Sequence, residues 1–248
     1  MDELLNQLSA LARGVWKHRW PGVLVAWVVG ASGMVGAELV RALAAGGEYS
    51  RVIAITRRPL SFEAPRLANR IIKFENLETD LLGVACDDAF SCLGTTIREA
   101  GSPAAFRAID YELVLRFARF AQTAGAKTMV AVSSVDAAHE SRNFYLRVKG
   151  ETELALEAQH YRSLHLLQPS LLLGPRQQWR AAETLGRWCL PLLNPLLLGR
   201  YERWRAIRAQ TVAAAMRAAA LSGRLGVHRY TWRALQMLAR GPTRATGV

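Results

Sequence analysis

Apolar residues along this chain fall into short unbroken runs separated by stretches of helical period. Val23 to Val29 is continuously apolar, as expected of a strand buried on both faces of a parallel sheet. Glycines and then a helical stretch follow, up to Gly46-Gly47. Further strands are predicted over Arg51 to Thr56, Arg70 to Phe74, Asp88 to Leu93, Lys127 to Val132 and Ser163 to Gln168. Helices are predicted from about Pro103 to Ala124 and over roughly 142–160. Strands alternating with helices predict an α/β chain, a doubly wound parallel sheet with right-handed crossovers and helices on both faces. After Pro169 the pattern loosens, with helical segments near 180–190, 208–221 and 231–239 and a short strand over Gly226 to Tyr230. Residues 3–20 read as a helix stopped by Pro21-Gly22. The expected organisation is a helical extension over 1–20, a single domain over 21–240 whose C-terminal part is a helix-rich substrate region, and a tail over 241–248.

The junction after the first strand carries the first chemistry. Gly30-Ala31-Ser32-Gly33-Met34-Val35-Gly36 joins strand to helix with GxxGxxG spacing. Gly30 permits the tight turn, Gly33 lets backbone approach a pyrophosphate, and Gly36 lets the helix pack on the sheet. Free N–H groups and the positive helix end then meet the phosphates. In this setting the loop predicts a Rossmann-type, dinucleotide-binding sheet. An acidic residue at the end of the second strand would bind the 2′-hydroxyl of NAD. Thr56-Arg57-Arg58 stands there instead. Guanidinium groups suit a 2′-phosphate, so the expected cofactor is NADP(H).

A second constellation lies downstream. The fifth strand ends in Ser133-Ser134, and Tyr145 and Lys149 follow at i,i+4 on a predicted helix. A tyrosine is a poor base at neutral pH, and a neighbouring ammonium stabilises its phenolate. Tyr145 can then exchange a proton with a carbonyl or alcohol oxygen, Lys149 can hold ribose hydroxyls, and a serine can orient the same oxygen. Ser134 is the expected serine, with Ser133 as its alternative.

Composition narrows the classes. The 248 residues are 51% hydrophobic and 21% charged, the proportions of a folded domain. Cys86, Cys92 and Cys189 form no metal-ligand spacing and no disulfide framework, which predicts a reducing, cytoplasmic setting without a metal. The N-terminus lacks the pattern of a signal peptide, and the apolar run from Leu190 to Leu198 is interrupted by Pro191 and Pro195 and too short to span a bilayer. The net charge of +12 is uneven. Residues 161–248 hold 14 arginines against Glu183 and Glu202 alone, while residues 1–160 balance. Such a surface is read as solvated, with an acidic protein or an anionic membrane as the sharper alternative. Nucleic acid is not expected, since no nucleic-acid-binding motif accompanies the charge.

Taken together these residues resemble the atypical short-chain dehydrogenase/reductases, nearest to the family of the Tat-interacting oxidoreductase and its bacterial relatives. The resemblance runs over roughly residues 23–240. It is carried by the glycine loop, Thr56-Arg57-Arg58, Ser91-Cys92-Leu93-Gly94-Thr95-Thr96, Asp110-Tyr111, Ser133-Ser134, Tyr145 through Glu151, and Gln168-Pro169-Ser170 through Arg176. It implies that Cys92, Gly94 and Thr95 line the cofactor, that Leu77 lies near the adenine, and that Pro169 and Leu171 lie beside the nicotinamide. Gln168 departs from the arginine usual before that proline. The expected function is an NADP(H)-dependent oxidoreductase acting on a carbonyl or alcohol small molecule. A regulatory or assembly protein that binds NADP(H) with little turnover is the alternative. Attachment to a membrane periphery through Trp188 and the 190–198 leucines is a weaker one.

Overall fold

The computed structural model describes residues 24–174 and 198–241. The extension over 1–20, residues 242–248 of the tail, the helical segment near 180–190, Trp188, Cys189 and all but the last of the 190–198 stretch lie outside the described residues.

Seven parallel strands form one sheet. They are β1 (Leu24–Val29), β2 (Tyr49–Thr56), β3 (Leu67–Ile71), β4 (Asp88–Ser91), β5 (Thr128–Val132), β6 (Ser163–Leu167) and β9 (Gly226–Tyr230), in the order β3-β2-β1-β4-β5-β6-β9. The doubly wound Rossmann-type sheet expected from the sequence is thus present. A separate pair, β7 (Leu172–Leu173) and β8 (Ile207–Arg208), sits beyond the main sheet. β1 shows why its apolar run is unbroken. Ala26 and Val28 face one core together with Leu39, Val212 and Met216, while Trp27 and Val29 face the other with Phe117 and Leu166.

The first face is covered by α1 (Met34–Gly46) and α7 (Ala209–Leu221). α1 buries Val35, Leu39, Val40 and Leu43, a helical stripe, and ends at Gly47 in the left-handed region. α8 (Trp232–Arg240) packs on α7. The second face carries α5 (Val114–Thr123) and α6 (Phe144–Glu157), with the short helices α2 (Leu77–Asp80), α3 (Ile97–Ala100) and α4 (Pro103–Arg107) before them.

Two expectations are corrected. β3 begins at Leu67 and ends at Ile71, three residues ahead of the expected Arg70 to Phe74. Its register is set by pairing Val52 with Leu67 through Thr56 with Ile71, and by Asn69, whose side chain reaches Ala54 O, Thr56 Oγ1 and the Leu60 N–H. The helix expected over Pro103 to Ala124 is interrupted by a π-helical segment, Ala108–Leu113.

The arginine-rich third is stitched to carboxylates rather than left bare. Arg203 pairs with Asp136, Arg217 with Glu48, Arg229 with Glu153 and Glu157, and Arg233 with Glu202. Except for Glu202, these carboxylates lie before residue 160. The charge asymmetry along the sequence is therefore partly cancelled in space.

Gly36 fixes how closely α1 can lie on the β1 turn. A Cβ there would stand 2.2 Å from Gly30 O and 2.8 Å from Ala31 Cα. Gly36→Ala should cost about 1–3 kcal/mol of stability, read as a lowered denaturation midpoint, and a fully stable variant would contradict this packing.

Candidate functional site

The strand order reverses between β1 and β4, and the crevice opens at the C-terminal ends of those strands. Gly30, with φ +75°, lies against the end of β4: a Cβ would stand 2.6 Å from the Cys92 carbonyl carbon. No side chain fits there. The chain then turns, closed by the Gly33 N–H donating to Gly30 O at 3.0 Å, and enters α1. Gly33 is the N-cap, with no side-chain cap bond and no acidic residue in the first helical turn. The initial N–H groups of α1 thus remain open to an anion.

A cavity of about 960 Å³ runs from this turn along the strand ends. Ser32, Gly33, Met34 and Val35 form one wall, and Cys92, Gly94 and Thr95 another. Ser133, Ser134, Tyr145 and Lys149 close the far part, with Pro169. The two serines differ. The buried Ser133 hydroxyl donates to Glu153 Oε1, whereas among the described residues Ser134 Oγ has only Val135 O, at 3.3 Å, and lines the cavity without a side-chain partner. Tyr145 is half-buried, its ring 5.5 Å from that of Phe106.

Lys149 is buried, and its Nζ lies 2.6 Å from Asp110 Oδ1. Burial works against the Lys149 charge, but the Asp110 carboxylate, together with Tyr145 and Glu153, outweighs it and carries the lysine above its ordinary value. Asp110 Oδ2 accepts the Thr95 N–H at 3.0 Å, and Thr152 donates its hydroxyl to the Asp110 carbonyl. One turn beyond Lys149, the buried Glu153 also accepts from Gln168 Nε2 and from Arg229 Nε, the latter at 3.1 Å. Arg229 on β9 thus brings a guanidinium to Glu153 beside the Gln168 amide. The Cys92 thiol is driven well above its ordinary range by burial, so it acts as a small apolar wall.

A family model described as the NAD dependent epimerase/dehydratase family matches residues 26–178. The chain belongs to this family. Among relatives, Protein HTATIP2 of Rattus norvegicus is 35% identical over 165 residues, covering 65% of this chain and 68% of that one. Protein FMP52, mitochondrial, of Lodderomyces elongisporus is 31% identical over 195 residues, covering 68% and 79%. Among solved structures, the Bordetella bronchiseptica enzyme WbmF in complex with NAD+ superposes with a TM-score of 0.62 at 16% identity, over 88% of this chain and 76% of that one. The resemblance to the atypical short-chain dehydrogenase/reductases thus holds for this epimerase/dehydratase family member.

Other expected site residues fall elsewhere. Gly30 and Gly36 lie beneath the cavity as backbone spacers. Arg57 and Arg58 are exposed at the end of β2, and Arg57 lies 5.7 Å over the Phe74 ring. Arg57 lines a second cavity of about 550 Å³ with Ile72, Phe74 and Ile109. Leu77 is wholly buried in the core and reaches neither cavity. Leu171 lies outside the cavity lining, where its carbonyl accepts the Ile207 N–H. Sequence reasoning missed Asp110 and Glu153 as parts of the site. A signal existed for the first. Phe106, Asp110, Leu113, Val114 and Phe117 share one helical stripe, and a carboxylate in such a stripe requires a buried partner. Among the described residues, no helix is long and apolar enough to cross a membrane.

The unequal serines give a measurable difference. Ser133→Ala removes a donor from the buried Glu153 and should destabilise by about 1–3 kcal/mol. Ser134→Ala should shift the melting temperature little, and equal losses would contradict the assignment.

Proposed function

We propose that this chain is an NADP(H)-dependent oxidoreductase that converts a carbonyl or alcohol small molecule through Ser134, Tyr145 and Lys149. One observation carries the reading: a single cavity joins the uncapped N-terminus of α1 to the three side chains able to handle a carbonyl oxygen. The residues present fit a dinucleotide. The turn at Gly30 has no room for side chains, and the open N–H groups beyond Gly33 suit a pyrophosphate. Ser32, Gly33, Met34 and Val35 would hold the phosphates, with Gly30 and Gly36 giving the turn its shape. Cys92, Gly94 and Thr95 would line the nicotinamide half with Pro169, whereas Leu171, outside the cavity lining, would not reach it. The second cavity, beside Arg57 and Phe74, suits the adenine end better than Leu77 does. Arg57 and Arg58 would meet a 2′-phosphate. When bound, the cofactor supplies or accepts a hydride.

The chain's own part is the proton and the oxygen. Tyr145 Oη exchanges a proton with the substrate oxygen, and Ser134 Oγ donates a hydrogen bond to that oxygen. The Lys149 ammonium would hold the ribose hydroxyls of the bound cofactor and keep the phenol in place. We infer a single NAD(P)-binding domain over 21–240 with a substrate region after Pro169. The free Cys86 and Cys92 suit a reducing compartment, and we place the protein in the cytoplasm. The fungal relatives' names place those proteins in mitochondria. The paired arginines favour a solvated surface over an acidic partner or an anionic membrane.

Calorimetric titration should give tighter binding of NADPH than of NADH, with the difference narrowed in Arg57→Ala. Equal affinities in the wild type would remove the cofactor assignment. With NADPH and a panel of aldehydes, ketones and quinones, Tyr145→Phe should lower kcat by about 100-fold or more while leaving NADPH affinity nearly unchanged. A phenylalanine variant as fast as the wild type would remove Tyr145 from the chemistry.

A further inference from the structure

The floor of the crevice holds a charge pair whose second member has no task in the reading above. Lys149 Nζ and Asp110 Oδ1 are 2.6 Å apart, and both side chains are withdrawn from water. Gly94 lies over them: a Cβ there would stand 3.9 Å from each of the two paired atoms. Asp110 is aimed from the π-helical segment Ala108–Leu113, a widened turn of the kind that recurs at functional sites. The Thr95 N–H fixes its carboxylate from a further side, and the Thr152 hydroxyl holds its backbone carbonyl. A carboxylate so buried is costly unless paired, and here its partner is a residue of the site itself.

We propose that Asp110 is a positioning residue that fixes both the place and the net charge of Lys149, and that the pair sets the site for proton donation from Tyr145, that is, for carbonyl reduction. The proposal rests on the roles given to Tyr145 and Lys149 above. A solitary ammonium one turn from Tyr145 would favour the phenolate, the form that takes a proton in alcohol oxidation. An ammonium held against a carboxylate presents a dipole instead, and the two opposite contributions at Tyr145 largely cancel. The other charged groups around Tyr145 do not replace the missing cation. Glu99 on α3 lines the cavity and adds negative charge. Arg147 on α6 lies 5.6 Å over the Phe144 ring. Arg41, which also lines the cavity, is paired with Glu38, and Arg208 lies in the wall built by β8. Phe106, packed on the Tyr145 ring, is uncharged. In reduction the Tyr145 O–H bond breaks, an O–H bond forms on the substrate oxygen as its carbon gains hydride, and the phenolate regains a proton from water.

The test is a pH titration of phenolate absorbance in cofactor-free protein, each form paired with its Tyr145→Phe counterpart so that the difference isolates Tyr145. Asp110→Asn keeps an acceptor for the Thr95 N–H and removes the charge. The Tyr145 signal should then appear about one unit or more lower in pH, a tenfold change in its acid constant, because the buried Lys149 ammonium, left without Asp110, keeps its charge by taking the Tyr145 phenolate as its counter-charge. Lys149→Met should move it by less than about half a unit, since the lone buried Asp110 takes up a proton and the site stays neutral. An unmoved signal in folded Asp110→Asn, or a rise of about one unit or more in Lys149→Met, overturns the proposal. If Asp110→Asn does not fold, Lys149→Met decides alone. The readout needs no turnover. A shifted titration without any carbonyl turnover would sink the assigned reaction and leave the charge pairing standing. Turnover lost in Tyr145→Phe with an unshifted titration would sink the pairing alone.

Discussion

The close approach of Gly30 to the backbone of Cys92 sets the geometry of everything around it. With no side chain between them, β1 and β4 end side by side and α1 starts directly over the crevice. Gly36 extends the same constraint into the helix, whose first turn rests on Gly30 O. The result is a positive helix end without a side-chain cap, open to the cavity that holds Ser134, Tyr145 and Lys149. Without that backbone-to-backbone contact, the helix end and the Ser134, Tyr145 and Lys149 side of the crevice would not share one space.

The far side of the crevice depends on α6, which carries Tyr145, Lys149 and Glu153 at successive turns. Each of the two charged residues is neutralised by a different element. Asp110 meets Lys149 from the π-helical segment, and Arg229 with Gln168 meets Glu153 from the sheet. Gly150 permits this seating, because a Cβ there would stand 2.3 Å from the Ala138–His139 peptide. Burial makes these pairs compulsory: a lone charge at either position would cost far more than the pair contributes. The same pairing sends Ser133 toward Glu153 and leaves Ser134 to the cavity.

The sheet, the glycine turn after β1 and the Tyr145–Lys149 face were legible in the sequence because each depends on local spacing. β1 is apolar throughout and β6 is buried throughout, and their ends were placed within a residue or so. β3 was misplaced because Ile71-Ile72 looked like strand, while the real strand follows the register imposed by β2 and by the half-polar Asn69. The break at Ala108–Leu113 was hidden because helix and π-helix share composition and differ only in hydrogen-bond register. Asp110 and Glu153 depend on partners 39 and 76 positions away, Lys149 and Arg229. No local pattern specifies which cation a buried acid will find. The offset of the arginine-rich third by carboxylates in the first two thirds was out of reach for the same reason.

The central claim is that the crevice at the β1–β4 switch point is a dinucleotide site, and determining the structure with NADPH bound tests it most directly. The account predicts pyrophosphate against the N–H groups at the start of α1, adenine toward Arg57 and Phe74, and the nicotinamide ribose within hydrogen-bond reach of Lys149. NADPH bound away from this crevice, or a crevice that stays empty at saturating NADPH, would contradict it.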